Sequence, residues 1–100
     1  MTVNGVQFDT DRIGDFCRRH GIAKLSLFGS IVGPEFRTDS DVDLLVEFKP
    51  GTRVSLFDIG GMAIELEEIV GRPVDLRSAM DLSQYFRDEV VQGARLLYAA

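Results

Sequence analysis

The chain has 100 residues, of which 45% are hydrophobic and 27% charged, and its net charge is −5; these values predict one globular domain and exclude a disordered chain. The acidic balance without a long basic stretch predicts no direct binding of nucleic acid, and the single cysteine excludes a disulfide framework. Because no apolar run approaches the length of a membrane span or a secretory signal, we expect a cytoplasmic protein without membrane association.

Hydrophobic periodicity predicts both helices and strands along the chain. In chain order these elements are a helix over 9–20, strands over 24–28 and 42–48, a helix between 55 and 71, a strand over 74–76, a helix from 81 or 83 to about 92, and a short strand over 96–98. Asp9 or Thr10 can cap the first helix, and Ser55 with Asp58 can cap the second. This order predicts an α/β fold, with a small mixed sheet flanked by helices, in a single domain over residues 1–100.

Two acids, Asp41 and Asp43, stand at the start of a strand whose sequence, VDLLVEF, is apolar through its centre. Side chains alternate along a strand, so these two carboxylates share one face, with Cα atoms about 6.6 Å apart at ~3.3 Å per residue. Such a pair can hold a divalent cation, and Mg²⁺ suits it because Mg²⁺ prefers oxygen ligands and keeps water positions that phosphate oxygens can take. The alternative is a solvated pair on an edge strand, but the apolar centre indicates a strand covered on both faces.

Gly29 and Ser30 follow a predicted strand and are expected to open a short helical turn. Glycine lets the backbone come close to a ligand, and the turn amides with the Ser30 hydroxyl can hold phosphate oxygens. A Gly-Ser pair alone is more often an ordinary turn, so the phosphate site depends on the acids at the next strand. Asp75, within the third predicted strand, can join those acids as a metal ligand or act as a general base.

The double motif of Gly29-Ser30, ten intervening residues and Asp41-Val42-Asp43 resembles the GSx10DxD signature of the polymerase-beta-like nucleotidyltransferase superfamily. Nearly the whole chain is similar to the minimal nucleotidyltransferases, the antitoxins of HEPN/MNT toxin–antitoxin modules. The segments that carry this similarity are LFGS, SDVDLLVEF, GRPVDL and ARLLY. The resemblance implies that Asp41, Asp43 and Asp75 form a metal-binding triad for two Mg²⁺ ions. It also implies that Gly29 and Ser30 hold a triphosphate.

The resemblance implies transfer of AMP from ATP to a hydroxyl, expected to be a tyrosine, of a cognate HEPN ribonuclease toxin in the prokaryotic cytoplasm. Larger relatives add domains for the base and the acceptor, so a chain of 100 residues is expected to receive its acceptor from a docked partner. One alternative is an antitoxin that inhibits its toxin by binding alone. Another is a small-molecule transferase of the aminoglycoside type, which needs more chain for its substrate.

The chain departs from the family pattern after the Gly-Ser pair. Members often carry a basic residue there, as in GSxARG, whereas this chain has Ile31-Val32-Gly33-Pro34. The arginines that could take over this role are Arg37, Arg53, Arg72 and Arg77, although an ordinary surface position is the commoner interpretation of each.

Three other groups of side chains are assigned to structure rather than chemistry. Cys17 is expected to be a core thiol, and His20 to lie at a solvated helix end. Glu65, Glu67 and Glu68 are expected on the exposed face of the second helix. Tyr85, Phe86 and Tyr98 are expected to be core aromatic residues.

Overall fold

The computed structural model describes residues 1–78 and 93–100. The elements in these ranges are β1 (Thr2–Val3), β2 (Val6–Gln7), α1 (Thr10–Arg19), β3 (Ile22–Phe28), a 3-10 turn (Gly29–Val32), β4 (Val42–Phe48), α2 (Leu56–Val70), β5 (Val74–Ser78) and β6 (Arg95–Ala99). Within the described ranges, four strands form one sheet in the order β5-β4-β3-β6, and β1 pairs with β2 in a separate hairpin. Strand β3 runs antiparallel to β4 and β6, whereas β4 and β5 are parallel. The predicted α/β fold with a small mixed sheet is confirmed.

Both predicted helix starts are capped by side chains. Asp9 caps α1, because its Oδ1 accepts a hydrogen bond from the backbone N–H of Arg12 at 3.2 Å. Ser55 and Asp58 form a reciprocal capping box on α2, with bonds of 3.1 and 2.9 Å. Gly71 ends α2 in the left-handed conformation, at φ +77°. A side-chain cap of this kind contributes about 1 kcal/mol, so short polar residues fix both helix boundaries.

The hydrophobic core lies between the two helices and one face of the sheet. Its members on α1, β3, β4 and α2 include Ile13, Phe16, Cys17, Leu25, Leu27, Val42, Leu44, Val46, Met62 and Leu66. Strand β4 is central, and Leu45, which alternation directs to the opposite face, is also buried. The prediction that this strand is central in the sheet is therefore confirmed, whereas its second face is buried at Leu45 but half-buried at Asp43 and exposed at Glu47.

The hairpin of β1 and β2 was not predicted, although the sequence carries its signal. Asn4 and Gly5 occupy its turn with φ of +49° and +79°, and an Asn-Gly pair is the preferred sequence for a two-residue hairpin turn. The Asn4 side-chain amide donates to the carbonyl oxygens of Ile31 and Gly33, at 2.7 and 2.9 Å. The hairpin thus braces the turn that follows β3.

The last predicted strand lies within the described residues, and the last predicted helix does not. Strand β6 confirms the predicted strand over 96–98 and is longer by one residue at each end. The predicted helix over 81–92, with Tyr85 and Phe86, lies outside the described residues. In the part of the chain that is described, no helix has both the length and the apolar character needed to cross a membrane.

Candidate active site

The predicted site residues meet at one edge of the sheet, where β3 ends and β4 and β5 begin. Asp43 is the register partner of Phe28 on β3 and of Asp75 on β5. Partners in register point to the same face of a sheet, so the structure places Asp43 and Asp75 side by side on the face opposite the core. The exposed residue Asp41 precedes β4 by one position, close enough for its charge to act on Asp43.

The Gly29–Val32 turn holds the Asp43 carboxylate directly. Gly29 has φ +72°, and a Cβ on it would collide with Asp43 Oδ2 and lie 3.0 Å from Asp43 Cγ. The backbone N–H of Ser30 donates a hydrogen bond to the same carboxylate. The sequence predicted that glycine lets a ligand approach the backbone, and in the structure the group that approaches is the Asp43 side chain. The Gly-Ser pair therefore positions an acid of the candidate site.

The Asp43 carboxylate is in an electrostatically unfavourable place. Burial raises its pKa above the ordinary value, and the negative charges of Asp75 and then Asp41 raise it further. The Arg77 guanidinium and the Ser30 N–H act in the opposite direction and do not cancel this increase. A cation bound among these acids would remove this repulsion, and their carboxylate oxygens are ligands of the kind that Mg²⁺ prefers.

Asp75 has a cationic partner on its own strand. Arg77 Nε and Nη2 lie 3.2 and 3.4 Å from the two Asp75 carboxylate oxygens. In residues 1–78 and 93–100, no group of three or more His, Cys, Asp or Glu side chains is arranged to hold a metal ion. The acids supply the hard oxygen donors that Mg²⁺ prefers, but Asp75 would have to exchange Arg77 for the ion. The metal-binding role of Asp41, Asp43 and Asp75 stays a prediction.

Arg72 organises the loop that leads into β4. Its Nη2 donates to the carbonyl oxygens of Arg37, Thr38 and Ser40, at 3.1, 2.8 and 2.7 Å. Its guanidinium carbon lies 4.7 Å from the centre of the Phe36 ring, in a cation–π contact. The sequence offered Arg72 as a phosphate ligand or an ordinary surface arginine, and it gave no local signal for this role.

The other three candidate arginines lie in different places. Arg77 contacts the site through Asp75, and Arg37 is exposed in the loop that Arg72 holds. Arg53 lines a depression between α1 and α2, on the core side of the sheet. Arg77 is therefore the candidate arginine that directly contacts one of the acids of the site.

The assignment of Cys17 to the core is confirmed, and His20 lies at the end of α1 as predicted but is only partly solvated. Cys17 is fully buried, and burial raises the pKa of its thiol to about 12, so it is protonated at neutral pH. His20 is half-buried, and its Nε2 lies 2.9 Å from Glu65 Oε2. Arg19 also donates to Glu65. These partners are 45 or 46 residues apart, so helical spacing could not reveal them.

The outer acids of α2 differ in their surroundings. Glu67 was expected to be solvated, but its Oε2 accepts a hydrogen bond from the backbone N–H of Val74 at 2.9 Å, which ties α2 to the start of β5. Glu68 is exposed as predicted, and Tyr98 packs against the core as predicted.

Known proteins are similar to this chain in sequence and in fold. A nucleotidyltransferase domain matches residues 12–97, which include the Gly-Ser pair and all three acids, so the chain belongs to the nucleotidyltransferase domain family. It is 36% identical over 76 residues to the "Putative protein adenylyltransferase MJ0435" of Methanocaldococcus jannaschii, an alignment that covers 76% of this chain and 80% of the relative.

Two solved structures show the same fold at lower identity. A chain in the crystal structure of a toxin–antitoxin with AMP-PNP matches with a TM-score of 0.74 and 20% identity, over 93% of this chain and 75% of that one. A chain in the complex of a tri-AMPylated Shewanella oneidensis HEPN toxin with an MNT antitoxin matches with a TM-score of 0.65 and 19% identity, over 91% and 70%. The resemblance to the nucleotidyltransferases is confirmed by the family match, and these two structures share the fold.

Proposed function

We propose that this protein is an antitoxin nucleotidyltransferase that transfers AMP from ATP to a hydroxyl group, expected to be a tyrosine, of a HEPN ribonuclease toxin. The observation that carries the proposal is the contact of the Gly29–Val32 turn with Asp43, beside Asp75. It joins the two halves of the nucleotidyltransferase motif in one place. The adenylyltransferase relative, the AMP-PNP complex and the AMPylated HEPN toxin support ATP as the donor and a toxin as the acceptor.

Asp41, Asp43 and Asp75 are the residues that would hold Mg²⁺. Their carboxylate oxygens are the donors that this ion prefers, and the raised pKa of Asp43, which burial and two neighbouring acids cause, supports a cation beside it. Two bound Mg²⁺ ions would supply neutralisation of the phosphate charge and activation of the attacking hydroxyl.

The chain's own residues bind and orient the reactants. The Ser30 hydroxyl and the amides of its turn other than the Ser30 N–H, which donates to Asp43, bind triphosphate oxygens, and Arg77 compensates the charge that develops on the leaving phosphates. The toxin hydroxyl oxygen attacks the α-phosphorus of ATP, the bond from that phosphorus to the bridging β-phosphate oxygen breaks, and pyrophosphate leaves. Asp75 accepts the hydroxyl proton. The products are AMP esterified to the toxin, and pyrophosphate.

Asp75→Asn should slow the chemical step by about 10² to 10⁴, the usual cost of losing a general base, and leave ATP affinity nearly unchanged. Single-turnover transfer and calorimetric ATP titration separate the two quantities. Asp39→Asn is the matched control, since it removes one exposed acid from the loop before β4. Comparable transfer rates in Asp75→Asn and in the wild type would reduce Asp75 to a structural residue.

Titration of the toxin's ribonuclease activity tests the function as a whole. With ATP and Mg²⁺, a substoichiometric amount of this protein should silence excess toxin, because each molecule acts repeatedly. Intact mass spectrometry should show AMP added to the toxin. Stoichiometric inhibition without ATP and without added mass would support the antitoxin that acts by binding alone. Modification of an aminoglycoside in place of the toxin would support the small-molecule transferase.

We also propose that residues 1–100 form one catalytic domain that acts in the prokaryotic cytoplasm. The family match over 12–97 supports the single domain, because it includes all or part of every strand of the described four-stranded sheet. The cytoplasmic location is supported by the proposed use of ATP, because the cytoplasm supplies this nucleotide.

A further inference from the structure

Helix α2 is apolar on two opposite faces. Its inner face contributes Met62, Leu66 and Val70 to the core. On its outer side the exposed fractions are 88% for Leu56, 92% for Phe57 and 62% for Ile64. A surface helix normally presents polar side chains to solvent, and a contiguous exposed apolar face marks an interface.

Two glycines, Gly60 and Gly61, lie at the centre of this outer face. Glycine inside a helix is destabilising by about 0.5–1 kcal/mol relative to alanine. A Cβ on either residue would meet nothing within 4 Å, so packing inside the chain does not require glycine at these positions. A backbone without side chains does allow a second helix to come unusually close.

The outer face is symmetric about the point between these glycines. Phe57 stands three residues before Gly60, and Ile64 stands three residues after Gly61. At 100° per residue, Phe57, Gly61 and Ile64 lie on the same side of the helix. If a second α2 runs antiparallel across this point, Phe57 of each copy meets Ile64 of the other.

The two ends of the face carry opposite charges. Arg53 lies in the segment just before the cap Ser55, and Glu68 lies in the last turn of α2. Both are exposed, and Arg53 lines the same depression as Phe57 and Gly61, a hollow of about 650 Å³. An antiparallel copy places Arg53 opposite Glu68 twice, whereas a parallel copy places like charges together. The face is therefore complementary to itself in one orientation.

We propose that the outer face of α2 docks on a second copy of this chain in an antiparallel, two-fold symmetric pair, with Arg53 of each copy against Glu68 of the other. The candidate active site lies on the opposite face of the sheet from α2, so Asp43 and Asp75 stay accessible in the dimer. The inference concerns self-association and is independent of the proposed transfer reaction.

Sedimentation of the full chain over a concentration series tests the dimer. We expect a concentration-dependent species of twice the monomer mass, and Ile64→Arg should dissociate it. Arg53→Glu and Glu68→Arg should each raise the dissociation constant about tenfold, because an exposed ion pair contributes up to about 1 kcal/mol and occurs twice. The double variant Arg53→Glu/Glu68→Arg should return to within about threefold of the wild-type value.

Arg18→Glu, an equal charge reversal on α1, is the control and should dimerise like the wild type. Gly61→Ala adds a second contrast, since it should raise the melting temperature of the monomer while weakening the dimer. Circular dichroism establishes that each variant is folded. A wild-type chain that stays monomeric at all concentrations would overturn the proposal. A dimer that survives Ile64→Arg, or charge reversals that do not rescue each other, would also overturn it.

Discussion

Asp43→Asn should abolish nucleotidyl transfer and, in protein without divalent cations, increase the free energy of unfolding at neutral pH. The loss of activity follows from the place of Asp43 between Asp75 and the Gly29–Val32 turn, where its carboxylate is the proposed Mg²⁺ ligand beside the proposed triphosphate site. The gain in stability follows from removing a charge that burial and two neighbouring acids disfavour.

The pH dependence of this gain has a definite sign. The folded-state pKa of Asp43 is raised, so the stability that its protonated form contributes is complete below the unfolded pKa and is lost as pH rises through the folded pKa. Asparagine does not ionise and undergoes no such loss. The difference in unfolding free energy between Asp43→Asn and the wild type should therefore grow across that interval and then level off. Urea unfolding in a chelator at a series of pH values measures it.

Glu47→Gln is the matched control for this experiment. Glu47 lies on the same strand and face as Asp43 and is far from the turn, so its variant should keep transfer activity. Full activity of Asp43→Asn at millimolar Mg²⁺ would show that the acid assignment is wrong. A variant less stable than the wild type at neutral pH would show that the Ser30 hydrogen bond outweighs the repulsion.

The acids are held in place by contacts that lie outside the motif. The Asn4 side chain braces the carbonyls of the turn after β3, and Arg72 fixes the loop before β4 through three other carbonyls. Both groups satisfy backbone acceptors that regular secondary structure does not pair. These hydrogen bonds stabilise the two loops and so hold Asp43 in place despite the repulsion from its neighbours. A destabilising group is expected to persist where a site is selected for chemistry rather than for stability.

Local chemistry explains which parts of the fold could be predicted. Capping residues such as Asp9 and Ser55, the stop at Gly71 and the apolar run of β4 act over a few positions, so the helices and central strands were predicted within a few residues. The hairpin at Asn4-Gly5 was equally local and was missed, because its strands have only two residues each and show no periodicity.

Contacts between distant residues explain what could not be predicted. The motif spacing indicated that Asp43 and Gly29 belong to one site, but not that the carboxylate occupies the space a side chain at residue 29 would need. The bond of His20 to Glu65 and the clamp of Arg72 on its loop each join residues more than thirty positions apart. Such partners depend on how the sheet brings segments together, which a single sequence does not specify.

Gly29→Ala should reduce transfer by at least about 100-fold, a loss comparable to misplacing a catalytic group by ~1 Å. Two effects combine at this position. Gly29 has φ +72°, which costs a residue with a side chain about 1–2 kcal/mol, and the added methyl would collide with Asp43 Oδ2. The collision pushes the Asp43 carboxylate away from the Ser30 N–H and from its place beside Asp75. The acid is then lost from the site while the rest of the fold persists.

Gly51→Ala separates the two effects. Gly51 has φ +85° and nothing within 4 Å of an added Cβ, so its substitution carries the backbone cost without the collision. We expect Gly51→Ala to lower the free energy of unfolding by about 1–2 kcal/mol and to leave transfer intact. Transfer rates and urea unfolding of the two variants, measured side by side, give the comparison. Equal transfer rates in Gly29→Ala and Gly51→Ala would mean that the turn does not position Asp43, because the collision is the feature that distinguishes the two sites.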